Sequence, residues 1–136
     1  MKVLVATDGS EHSMKAIQRG LELAEQGAEV TLMSVAYYAK DNFDFMPPNI
    51  QEKLENEAKA ALAQGKAVFD AKNIKVETIM EAGVSPANNI IRRATEGKYD
   101  RLIMGSAGKT GLNLALMGSV AAKVVAHAPC EVTIVR

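Results

Sequence analysis

Residues 2–24, KVLVATDGSEHSMKAIQRGLELA, decide the architecture. Lys2 to Ala6 form a short apolar run with two valines, and Asp8, Gly9 and Ser10 end it, which predicts a buried strand running into a turn. Met14, Ile17, Leu21 and Ala24 then recur at helical spacing, with Ser10 placed to cap the helix and Gly27 to stop it. A buried strand followed at once by an amphipathic helix is the first half of a βαβ crossover.

The same alternation continues along the chain. Glu29 to Ala36 (EVTLMSVA) reads as a second strand, and a loop follows as far as Pro47-Pro48. Leu54, Ala58, Ala61, Gly65 and Val68 mark one face of a long second helix. Lys75 to Glu81 is a third strand, and Ser85-Pro86 supplies a cap and a first-turn proline for a helix through Ile90, Ile91 and Ala94. Tyr99 to Gly105 is a fourth strand, Val120, Val124 and Val125 lie on a last helix ended by Pro129, and Glu131 to Val135 is a fifth strand. Five strands alternating with four helices predict right-handed crossovers and a parallel sheet with helices on both faces.

At 136 residues the chain suits one domain, spanning 1–136, with a core of its own. Sixteen basic residues balance sixteen acidic ones, and neither a basic stripe nor a set of stacking aromatics is visible, which argues against nucleic acid as a partner. The apolar run at the start is too short for a signal peptide or a membrane span, so no membrane role is expected. The lone Cys130 permits no intrachain disulfide and fits a reducing compartment; a cytoplasmic location is expected.

In open α/β sheets ligands gather at the carboxyl ends of the strands, where strand order reverses. Thr7, Asp8, Gly9 and Ser10 follow the first strand, and Gly105, Ser106, Ala107, Gly108, Lys109 and Thr110 follow the fourth. Glycines let main-chain N–H groups approach an anion, and Gly118 and Ser119 open a helix whose free donors favour phosphate. Gly-rich loops are also ordinary turns, so on the residues alone both readings of this loop stand. GKT at 108–110 is not a P-loop, because Ile103 stands where that motif needs its first glycine.

Gly105, two residues, Gly108, nine residues, Gly118 and Ser119 resemble the ATP-binding signature of the universal stress protein family. VATDGS, EAGVSPANNII and GSVAAKVVAHAPCEVTIVR resemble that family in order and position, over the whole chain; Glu131 before Val132, where the family commonly has proline, is a departure. The resemblance implies sheet order 3-2-1-4-5, a Rossmann-like arrangement with the nucleotide across the ends of strands one and four. It implies that Asp8 lies by the ribose or a phosphate-bound Mg²⁺ and that Val35 meets adenine through its backbone; Thr7, next to Asp8, is a further candidate for nucleotide binding. Gly105, Gly108, Gly118 and Ser119 would hold the phosphates of ATP, ADP or AMP, with Lys109 near the terminal one. It further implies a homodimer through the final strand, Glu131 to Arg136.

Each residue also has a plainer reading: Asp8 as a turn former, Val35 as core, Lys109 as a solvated lysine. His12 and His127 are too far apart in sequence to suggest a metal pair, and no zinc site is expected. The candidate loops offer no histidine and no paired carboxylate, so a binding module is favoured over a slow ATPase or phosphotransferase at the same site. A receiver-type domain ranks last, since Glu81 is the sole acidic residue near the end of strand three. Tyr37, Tyr38, Phe43 and Phe45 crowd the long loop after strand two, as a lid, a partner-facing surface or simple packing on helix two.

Overall fold

The computed structural model describes residues 1–38, 48–107 and 118–136. The elements run β1 (Lys2–Ala6), α1 (Glu11–Glu25), β2 (Glu29–Tyr37), α2 (Pro48–Asp70), β3 (Glu77–Gly83), α3 (Pro86–Glu96), β4 (Arg101–Gly105), α4 (Ser119–His127) and β5 (Glu131–Val135). The strands form one parallel sheet in the order β3-β2-β1-β4-β5, as expected. The direction of progression reverses between β1 and β4, and the switch point lies there.

Alternation along the strands builds two cores. Val3, Val5 and Ile103 turn to one face and pack with Ala16, Ile17 and Leu21 of α1 and Leu62 and Phe69 of α2. Leu4, Ala6, Leu102 and Met104 turn to the other, against Ala87, Ile90 and Ala94 of α3 and Ala121 and Val124 of α4. The first two crossovers thus cover one face and the last two the other, as a constant right hand requires when the direction of winding reverses.

Ser10 caps α1 as predicted, accepting from the Ser13 amide at 3.3 Å, and Ser85 caps α3 in the same way through the Asn88 amide. Several boundaries differ from the expected ones. β3 begins at Glu77 and reaches Gly83, because pairing with β2 starts at Thr31↔Glu77 and ends at Tyr37↔Gly83. The same ladder carries β2 on to Tyr37. β4 begins at Arg101 because the Tyr99 amide closes a turn on Ala94 and the Asp100 amide goes to the Lys2 carbonyl. Val125 does not face the core: it is 47% exposed, one helical step past the fully buried Val124. Phe69, which the spacing of α2 did not single out, is fully buried.

Candidate functional site

The loop after β1 is locked by its own polar groups. The Thr7 amide donates to the Met33 carbonyl at 2.8 Å, carrying the β1–β2 ladder one residue further. The Thr7 hydroxyl donates to Ser13 Oγ at 3.0 Å and accepts from the Gly9 amide at 3.3 Å. Asp8 Oδ1 accepts from the Ser10 amide at 2.9 Å, and Ser13 Oγ donates back to the Ser10 carbonyl at 2.9 Å. Sequence made Thr7 and Asp8 candidates; the structure shows that both also fix the shape of the turn that presents them.

β2 runs past the end of β1, whose last pair is Ala6↔Met33. Val35, two residues on from Met33, turns its main-chain groups to the same side, into the space beyond the end of β1.

On the other side of the switch point, the segment after β4 is clamped twice. The Ser106 amide donates to the Val135 carbonyl at 2.9 Å, and the Ser106 carbonyl accepts from the Gly118 amide at 2.6 Å. Gly118 is the N-cap of α4, and the first intrahelical bond runs from the Ala122 amide to Gly118. The amides of Ser119, Val120 and Ala121 therefore open the helix ahead of any i−4 partner, at its electropositive end. The Gly118 amide, expected to hold phosphate, is already spent on Ser106.

Gly105 also has a role that the spacing did not reveal. A Cβ there would lie 2.8 Å from His12 Cβ and 2.9 Å from the His12 backbone carbon, so this position lets α1 press against β4.

These pieces enclose one cavity of about 510 Å³. Of the sequence-derived candidates, Thr7, Asp8, Val35, Gly105, Gly118 and Ser119 all line it; Gly108 and Lys109 lie outside the described residues. Sequence reasoning missed much of the wall. Met33, Ile90 and Met104 form an apolar floor, and Leu54 and Ala58, placed by their spacing on the inner face of α2, close one side next to Glu57. Helical and strand periodicity marks such residues as buried, but the signal is the same whether they face core or ligand. Ser106 also lines the cavity; it is 4% exposed, and its Oγ has no hydrogen-bond partner among the described residues.

The expected aromatic cluster is only partly described. Tyr37 lines the mouth of the cavity and is 51% exposed, Tyr38 donates to Glu55 of α2, and Phe43 and Phe45 lie outside the described residues. The hydrogen bond to Glu55, with burial and the Glu55 charge, raises the Tyr38 pKa, so the phenol remains neutral.

Electrostatics hold α3 in place beside the cavity. Glu81 of β3 accepts from Asn89 Nδ2 at 2.8 Å, Arg93 Nε at 2.8 Å and the Arg92 guanidinium at 2.5 Å. Burial pushes its carboxyl upward, but the hydrogen bonds from Asn89 and Arg93 and the charges of both arginines outweigh this and hold it below the usual carboxylate range. Cys130 is half-buried on the second core, and burial, with the charges of Asp100 and Glu131, pushes its thiol up. Among the described residues no group of three or more histidine, cysteine, aspartate or glutamate side chains is placed to hold a metal ion. No helix among them is long and apolar enough to cross a membrane.

Comparison with known proteins agrees with this geometry. The profile described as "Universal stress protein family" matches residues 1–136. Universal stress protein MJ0531 of Methanocaldococcus jannaschii is 36% identical over 143 residues, covering 99% of this chain and 81% of that protein. Universal stress protein YxiE of Bacillus subtilis is 34% identical over 146 residues, covering 99% of this chain and 98% of that protein. Among solved structures, the hypothetical protein MJ0577 superposes with a TM-score of 0.80 at 29% identity, over 98% of this chain and 94% of that one. A universal stress protein in complex with cAMP superposes with a TM-score of 0.73 at 25% identity, over 100% of this chain and 96% of that one. With its sheet order, its switch-point cavity and these matches, the chain belongs to the universal stress protein family.

Proposed function

We propose that the chain is an adenine-nucleotide-binding module of the ATP-binding branch of its family, acting in stress response or signalling. The carrying observation is that six residues chosen from sequence for nucleotide binding line a single cavity at the switch point. Its volume falls in the usual range for small-ligand sites, roughly 300–1,000 Å³. The cAMP complex of a relative with the same fold supports an adenine nucleotide as the ligand class.

The parts divide the work by chemistry. The apolar floor of Met33, Ile90 and Met104 takes the base, with the Val35 backbone reading its edge. The opening amides of α4 and the Ser119 hydroxyl take phosphate. Three or four charged hydrogen bonds at about 1.5–3 kcal/mol each roughly match the association cost of about 4–15 kcal/mol, so burial of the base supplies the net affinity. The carboxylates of Asp8 and Glu57 line the same cavity and repel a bare triphosphate. Mg²⁺ carried in on the phosphates and reached by Asp8 relieves that repulsion, the usual mode for this ion. Two further proposals accompany the reading: β5 lies at one edge of the sheet, which suits homodimer pairing through Glu131 to Arg136, and the site suits a cytoplasmic nucleotide pool.

Equilibrium dialysis against ATP with Mg²⁺ tests this reading. Saturation near one nucleotide per chain is expected, and no uptake at millimolar ATP, ADP and AMP overturns it.

A further inference from the structure

Tyr37 is the last residue of β2 and pairs with Gly83 of β3. Side chains alternate along a strand, so its ring leaves the sheet on the same face as Val35, which packs on the second core. That face carries α3, whose Pro86 and Ile90 line the cavity, and Tyr37 lines it too. Half of the ring is open to water there. The other two tyrosines are engaged: Tyr38 donates to Glu55, and the Tyr99 ring lies 4.8 Å from Lys2 Nζ. Among the described residues Tyr37 makes no such contact. A single exposed apolar side chain is ordinary on a protein surface. What sets this one apart is its place, at the opening of a cavity whose floor of Met33, Ile90 and Met104 is apolar.

We infer that Tyr37 stacks on the outer face of the base, which is then held between this ring and the apolar floor. The inference rests on the nucleotide reading above and adds to it the contact that covers the second face of the base. A floor alone takes one face out of water and leaves the other wet. A ring laid on that other face dries it as well and adds the attraction between offset π-systems. Tyrosine suits such an entrance, because its ring serves the base while its hydroxyl stays in water. The ring face carries the contact, and the hydroxyl is dispensable.

The test measures AMP binding by titration calorimetry to wild type, Tyr37→Ala and Tyr37→Phe, and follows the Tyr37 ring protons of wild type by NMR as AMP is added. Expected are an AMP affinity about tenfold weaker in Tyr37→Ala, an affinity within about twofold of wild type in Tyr37→Phe, and an upfield movement of the ring protons that saturates with binding. Unchanged affinity in Tyr37→Ala overturns the proposal, and so does an equal loss in both variants, which would put the contact on the hydroxyl. AMP uptake with unmoved ring protons overturns it in the wild-type protein itself, whatever the substitutions do to the fold, and leaves the nucleotide reading standing. Wild type that takes up no AMP overturns that reading and this inference together.

Discussion

The Gly118 amide donates to the Ser106 carbonyl at 2.6 Å, tying the first turn of α4 to the end of β4. The bond fixes where the helix starts and commits a main-chain donor that the glycine spacing had suggested for phosphate. Among the described residues, the main-chain donors left open at this helix start are those of Ser119, Val120 and Ala121.

Ser119→Ala therefore separates binding from folding. Ser119 is exposed, and Gly118, the N-cap, supplies no side-chain bond to the helix. ATP affinity is expected to fall about five- to tenfold by titration calorimetry, with stability in urea changed by less than about 0.5 kcal/mol.

Gly105→Ala has the opposite signature. The added methyl meets both the side chain and the backbone of His12 at under 3.0 Å, and the backbone cannot swing aside. A loss of about 1–3 kcal/mol in urea unfolding is expected, with the denaturant slope unchanged. Wild-type stability in this variant would show that the spacing of α1 and β4 is not set by this glycine.

Glu81→Gln tests the clamp on α3. The folded-state carboxyl holds its proton less tightly than in the unfolded chain, where its ordinary value is 4.5. Its contribution is thus complete above the unfolded value and is lost as pH falls through the folded one. The variant is expected to be about 1 kcal/mol less stable at pH 7, discounted because Arg92 is 55% exposed, with the difference shrinking under acid conditions. Parallel pH profiles for the two proteins would contradict this.

Cys130 is expected to react with Ellman's reagent at pH 8 several-fold more slowly in the native protein than in urea, because its thiol is raised by burial and by Asp100 and Glu131. Equal rates would show an open thiol.

The architecture was legible because each strand is a short apolar run and each helix start carries its own signal, as at Ser10 and at Ser85-Pro86. Strand ends were less so, since Lys75 and Val76 have strand-like composition yet lie before the first pair with β2. The switch point told which loops to inspect, and Thr7, Asp8, Gly118 and Ser119 do meet there. Spacing could not tell that Gly105 serves packing, that the Gly118 amide is spent, or that Ser106 is left over. Those facts depend on partners about 30 or more residues away in the chain, or across a loop, such as Val135 and His12.

The central claim is that the switch-point cavity is the nucleotide site, and amide NMR titration with AMP and with Mg-ATP tests it most directly. Saturable shifts are expected at Thr7, Asp8, Val35, Ser106, Ser119 and Val120, with the far end of the sheet around Glu29 and Glu131 unmoved. Shifts confined to other surfaces, or none at millimolar nucleotide, would contradict it.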